Sequence, residues 1–244
     1  MNKTIITLCI SLAIFSQNIG YSQKTDSIST KKNTFLKKSI APLSLIGTGI
    51  YVNYAGGSLG KVQLQNNIQN GLNFHTRADD FLQFAPIAVL ASADMFGLKT
   101  KNTIKKQAKN IILITAANYA VVKSIKLITN ETRPNGSSHA FPSGHTSNAF
   151  AMAGILHHEL KDSHPVLSYS GYVFATTTGF FRVLNNKHWV SDVLVGAGVG
   201  MLVTDIFYKI QSKSATLEKE RKTTSIFVPT INQNTVGFTG IITF

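Results

Sequence analysis

Apolar residues recur along this chain in blocks of roughly 16–20, close to the length that crosses a bilayer, parted by short polar or glycine-containing turns. From Ser39 onward this patterning predicts helices at 40–55, 81–97, 103–128, 144–160, 167–183 and 189–210. Residues 56–78, with Gly56, Gly57, Gly60 and Gly71 among several Asn and Gln, read as a loop carrying a short helix at 61–70. Asp79-Asp80 ahead of Phe81 read as an acidic helix start, Gly97 as a stop, and Ser143 or Pro142 as the residue that opens the helix at 144. Past Lys209 the character changes: 211–222 is charged, and 224–230 and 236–244 are strand-like, which predicts a hairpin turning at 231–235. Pro229 restricts its strand to an edge. The expected fold is all-α, an antiparallel bundle of about six core helices with membrane association and a short β-like tail.

The N-terminus follows a different logic. Lys3, the apolar run from Ile5 to Phe15 and the small, polar exit at Gly20-Tyr21-Ser22-Gln23 have the form of an export signal over 1–23. A polar, basic lead-in follows at 24–38, then the helical domain at 39–210 with its core at 80–210, then the charged linker and tail at 211–244. Cys9 is the chain's one cysteine and lies in the signal, so no internal disulfide can form. Net charge is +13, which favours anionic partners such as phosphate esters or an acidic membrane surface. The lysines are scattered and no stripe of bases alternates with aromatics, which argues against nucleic acid. The basic loop around Lys99, Lys101, Lys105 and Lys106 reads as cytoplasmic. Helix 103–128 then runs outward, 144–160 returns, 167–183 runs outward and 189–210 returns.

On that path three polar clusters fall at helix ends on one side: Lys126 with Arg133-Pro134, Pro142-Ser143-Gly144-His145, and Arg182 with His188 and Asp192. Three cations suit a tetrahedral dianion such as phosphate, and arginine offers a planar fork of paired donors. His188 and Asp192 are one helical turn apart. A carboxylate on one ring nitrogen leaves the other as a better nucleophile, and His145 is the candidate acid. Helix N-termini at Ser143-Gly144 and near Trp189 present free N–H groups, and Gly144 lets the backbone approach an oxygen. His139 reads as a loop residue, and His75, His157, His158 and His164 as loop or surface residues. No metal-ligating pattern and no nucleotide-binding loop is present.

The three clusters resemble the type 2 phosphatidic acid phosphatase family, related to the vanadium haloperoxidases. Its pattern is Lys-x6-Arg-Pro, Pro-Ser-Gly-His and Ser-Arg-x5-His-x3-Asp. Lys126 to Pro134, Pro142 to His145 and Arg182 to Asp192 fit it; Phe181 stands where the family has Ser. The resemblance implies a helical core of the acid phosphatase/haloperoxidase type and metal-independent, cofactor-free hydrolysis in two steps. His188 would become phosphohistidine, oriented by Asp192, with His145 protonating the leaving group. Lys126, Arg133 and Arg182 would hold the phosphate, helped by Ser143 and the Gly144 backbone. The substrates implied are lipid phosphates (phosphatidate, phosphatidylglycerol phosphate, undecaprenyl diphosphate, lipid A) or small phosphate esters. The enzyme would sit in the inner membrane with its site facing the periplasm. A soluble periplasmic acid phosphatase, a vanadate-dependent haloperoxidase and a non-catalytic envelope protein are the alternatives.

Overall fold

Among the described residues, eight α-helices and a hairpin follow one another: α1 (Thr34–Tyr54), α2 (Lys61–Gln69), α3 (Ala78–Leu82), α4 (Ala85–Met95), α5 (Ile104–Thr129), α6 (Gly144–Leu160), α7 (Pro165–Leu184), α8 (Val190–Lys222), β1 (Thr224–Asn232) and β2 (Thr235–Thr243). They belong to a computed structural model that describes residues 34–72, 74–222, 224–232 and 235–243. The expected export signal and Cys9 lie outside the described residues.

A helix with small and apolar residues on all its faces can only be a central one, and α6 is that helix. It packs against α4, α5, α7 and α8 at once. Its Met152, Ile155, Leu156 and Leu160 meet Leu90, Ala93, Ile114 and Tyr208 in the main core. The approach of α8 depends on glycine. Gly196 and Gly200, one turn apart, face α6: a Cβ on Gly196 would stand 2.6 Å from the Ser143 carbonyl oxygen, and one on Gly200 would overlap the carbonyl of Ser147. Gly198 points the other way, where a Cβ would come within 2.5 Å of the Pro42 carbonyl of α1. Alternating glycines thus let α8 lie close to two helices, the small-residue packing common where lipid surrounds a bundle. Among the described residues, two helices, Ile104–Thr129 and Val190–Ser214, are long and apolar enough to cross a membrane. On the first, Ile112, Tyr119 and Ile128 stand exposed, an apolar face of the kind water-soluble surfaces rarely show.

The structure corrects four expectations. The helix expected at 81–97 is two helices, because Pro86 near the start of α4 has no N–H to continue the α3 ladder and the chain turns at Gln83 and Phe84. Asp79 and Asp80 cap nothing: the cap position of α3 is Arg77, without a side-chain cap bond, and both carboxylates belong to the candidate site. His158 is not a surface residue but buried, stacked on Tyr208 at 4.3 Å between centroids and 2.7 Å from Asp205. Finally, α8 continues through 211–222 to Lys222. Gly97 does end α4, in the left-handed region at φ 69° with the Leu98 N–H bonded to the Ala93 carbonyl. The hairpin pairs Asn232 with Thr235 and Thr224 with Thr243, so its turn is tighter than 231–235. Both strands are edges, which accommodates Pro229.

The end of the bundle away from the three clusters is tied by Glu159. Its carboxylate accepts from the Asn102 backbone N–H and side-chain amide and from the Tyr208 hydroxyl, at 2.9, 2.7 and 2.6 Å. Gly200→Leu is expected to lower stability by about 3 kcal/mol or more by overpacking the α6–α8 contact. Gly47→Ala, with nothing within 4 Å of its Cβ, is expected to leave it equal or higher. Thermal unfolding of the detergent-solubilised protein checks both, and a wild-type midpoint for Gly200→Leu contradicts this packing.

Candidate active site

The site is made of four chain segments, each presented by a local device. After α5 the chain leaves the helix through Asn130, in the left-handed region at φ 44°. It then folds into a turn in which the Gly136 N–H bonds the Arg133 carbonyl at 3.0 Å, with Pro134 and a positive-φ Gly136 at the positions such a turn favours. That turn presents Arg133. Lys126, in the last turn of α5, donates to the carbonyls of His139 and Ala140 at 2.6 and 3.0 Å, so a positive-φ backbone at His139 serves the lysine and its imidazole stays outside.

α6 opens at Ser143, whose hydroxyl accepts the Thr146 N–H at 3.4 Å and meets the Thr146 hydroxyl at 2.9 Å. His145 therefore stands in the first turn. α7 carries Arg182 in its last turn, and the short connection to α8 holds His188. Asp192 lies three residues past Trp189, the position from which a carboxylate reaches back to a cap N–H. Its Oδ2 accepts the Trp189 N–H at 3.0 Å and the Nδ1–H of His188 at 3.0 Å. Its main-chain carbonyl accepts the Ser143 N–H at 2.9 Å. The starts of α6 and α8 are thereby joined through one residue. The Trp189 indole N–H bonds the Thr132 carbonyl at 2.8 Å and brings in the Arg133 segment.

The three predicted clusters converge. Lys126, Arg133, Arg182 and His145 all act electrostatically on the His188 ring. His188 is 1% exposed and Asp192 fully buried. Burial first, then those four positive groups, hold the His188 imidazole well below its ordinary pKa, so at neutral pH it is uncharged and its Nε2 carries a lone pair. Burial and the charge of Arg182 also work against the Arg133 cation. Two buried guanidinium donors, Nε of Arg133 and Nε of Arg182, have no protein partner. Buried donors without acceptors are costly, and an anion oxygen is an acceptor for either.

Several site residues escaped sequence reasoning. Asp79, with no exposed surface, accepts from Arg182 Nη1 at 2.6 Å and from the Asn185 amide at 3.1 Å. Asp80 Oδ1 stands 3.1 Å from His145 Nε2. Two adjacent acids before an apolar helix in a strongly basic chain were the available signal, since a cap needs only one. Lys61, Glu131 and Asn53 form a network beside the site, with Lys61 Nζ 2.5 Å from Glu131 Oε2 and Ser191 donating to Asn53 at 3.2 Å. Nothing in their spacing announced it. Phe181, in place of a serine, packs on Phe74 with centroids 5.5 Å apart.

Residues 135–215, about a third of the chain, match the PAP2 superfamily. It is 38% identical over 142 residues to a lipid A 1-phosphatase of Porphyromonas gingivalis, a match covering 57% of this chain and 32% of that protein. It is 29% identical over 152 residues to phosphatidylglycerophosphatase B of Bacillus subtilis, covering 57% of this chain and 71% of that protein. The match thus spans about a third of the first relative and under three quarters of the second. The crystal structure of a transmembrane PAP2-type phosphatidylglycerolphosphate phosphatase from Bacillus subtilis superimposes with a TM-score of 0.52 at 21% identity, over 71% of this chain and 96% of that one, and shares the fold.

Orthophosphate is expected to raise the melting temperature of the wild type, by the free energy of ligand binding to the folded state, where chloride at equal ionic strength does not. Arg133→Ala is expected to lose most of that increment. A full phosphate shift in Arg133→Ala contradicts an anion held between the arginines.

Proposed function

We propose that this chain is a phosphatase that cleaves a phosphate ester or anhydride of a lipid through a phosphohistidine at His188. The observation that carries this is the pair of unpartnered buried guanidinium donors beside a buried, uncharged imidazole whose Nδ1 is held by Asp192. The two arginines and Lys126 bind and neutralise the phosphate oxygens. The Nε2 lone pair of His188 forms the P–N bond as the bond from phosphorus to the leaving oxygen breaks, and His145 gives that oxygen its proton. Asp192 stabilises the positive charge that appears on the His188 ring. In the second step His145, now neutral, takes a proton from water. The resulting P–O bond displaces Nε2, and the imidazole and inorganic phosphate are restored.

A lipid substrate is supported by the apolar surface of α5 and by similarity to two proteins named as phosphatases of lipid A and of phosphatidylglycerophosphate. The basic loop at 99–106 lies at the end of α5 away from the site. Under the positive-inside tendency that orients the site outward, in keeping with an exported protein of the cell envelope whose catalytic end meets the periplasmic leaflet.

His188→Ala is expected to lower hydrolysis by at least about 1,000-fold with unfolding unchanged, taking a lost nucleophile to be at least as costly as a lost general acid or base. Wild type, but not this variant, is expected to yield an acid-labile, base-stable phosphoprotein after brief exposure to substrate and an alkaline quench. A comparison of phosphatidate, phosphatidylglycerol phosphate, undecaprenyl diphosphate and lipid A phosphates ranks the substrates. Wild-type turnover in His188→Ala on all of them removes the proposal. Because an unprotonated His188 is required and its pKa is depressed, activity should survive acidification past pH ~6.5, the ordinary histidine value. The acid limb of kcat/KM therefore lies below that value, and Arg133→Gln, which removes a cation, moves it upward. A limb at or above pH ~6.5 in the wild type contradicts the assignment.

A further inference from the structure

The site contains a second histidine–carboxylate pair. His188 is held by Asp192 through Nδ1 at 3.0 Å; His145 is held by Asp80 through Nε2 at 3.1 Å. In each ring one nitrogen is engaged by a carboxylate, which leaves Nε2 of His188 and Nδ1 of His145 as the other two. The first pair is buried, while His145 and Asp80 keep about a third of their side-chain surface open, at 35% and 33%. That is the side from which a leaving group can depart into its surroundings.

The position of Asp80 is enforced rather than incidental. α3 is a single short segment, and Gln83 at its end ties it to α6. The Gln83 amide donates to the Asp80 carbonyl at 2.9 Å, and its oxygen accepts from Asn148 at 3.1 Å. Asn148 lies three residues beyond His145, on the same side of α6. Two contacts one turn apart therefore lock α3 to the start of α6 with the carboxylate against the imidazole. The neighbouring Asp79 is spent on Arg182.

The electrostatics give Asp80 a task. An acid in this site must carry its proton beside Arg182, whose Nη1 is 3.7 Å from the same Asp80 oxygen that faces His145. The charged groups that bear on His145 are Arg182, Asp80 and Asp79, and His145 itself bears on His188 at the head of α8. Exposed Arg77 stands 3.9 Å from the other Asp80 oxygen. Burial and then Arg182 work against the His145 proton, and Asp80 works for it; without a carboxylate at 80, a protonated His145 adds one more positive charge to a site already holding three.

Resting on the phosphatase reading above, we infer that Asp80 is a positioning residue for the acid: it holds His145 by Nε2 and favours its protonated form, so that Nδ1–H is delivered to the leaving oxygen. The proton passes from His145 to the leaving group in the first step and returns from water in the second. Asp80 remains a carboxylate throughout.

The test uses the full chain in detergent, with Asp80→Asn and Asp80→Ser as alternative carboxylate-free variants and Asp80→Glu as the conservative one. Carbon-detected NMR of histidine side chains, with the His145 signal identified by its loss in His145→Gln, reads protonation without a substrate. Its midpoint is expected to fall by about one pH unit in Asp80→Asn. In kinetics, kcat/KM on phosphatidate, an alkyl ester that needs its leaving oxygen protonated, is expected to fall about 100-fold. On 4-nitrophenyl phosphate, whose leaving group needs little help, the loss should be under about 5-fold. The alkaline limb of the pH profile moves down, and Asp80→Glu recovers most of the alkyl activity. An unmoved His145 midpoint, or equal losses on the two esters with an unmoved limb, overturns the inference. Failure of the phosphatase reading looks different: the wild type then matches His188→Ala on both esters.

Discussion

Asp192 is the residue on which this architecture turns. With one carboxylate oxygen it fixes the His188 ring and closes the start of α8; with its main-chain carbonyl it fixes the start of α6. Two histidines 43 positions apart by number (188 − 145) thus share one polar junction. The junction is buried, where a hydrogen bond is stronger than in water and a missing one is costly. The glycines of α8 have the same purpose at longer range. They draw the α6 and α8 backbones together so that the Ser143–Asp192 contact can form at all.

Around this junction the molecule gathers like charges, which is unfavourable until something negative arrives. Lys126 is satisfied by loop carbonyls, and Arg182 by Asp79. The buried site atoms left without a protein partner are Nε of Arg133, Nε of Arg182 and Oδ1 of Asp192. The site is preorganised, with its cations fixed by protein partners. That is the condition under which fixed charges assist a reaction most, since they need no rearrangement as charge develops.

Most of this was legible from the residues. The clusters sat at predicted helix ends, the ends alternated, and alternation in a bundle sends them to one side. Helices at 103–128, 144–160 and 167–183 matched α5, α6 and α7 within two residues at each end, because apolar periodicity and local caps agreed there. What was missed has a common physical origin. Asp79 and Asp80 looked like caps because local sequence records what a residue can do for its own helix, while their partners lie 103 and 65 positions away in the chain (182 − 79, 145 − 80). Lys61 with Glu131 and His158 with Asp205 are likewise pairings between distant segments. The break at Pro86 was misread because apolar content continued across it while the backbone ladder did not.

In the proposed mechanism the guanidinium groups of Arg133 and Arg182 and the imidazole of His188 enclose one tetrahedral anion. A crystal structure with bound orthovanadate puts this to the test. Vanadium is expected at bonding distance from His188 Nε2, with vanadate oxygens accepting from the Nε–H of both arginines. Vanadate bound elsewhere, or bound here with Nε2 turned away, would contradict it.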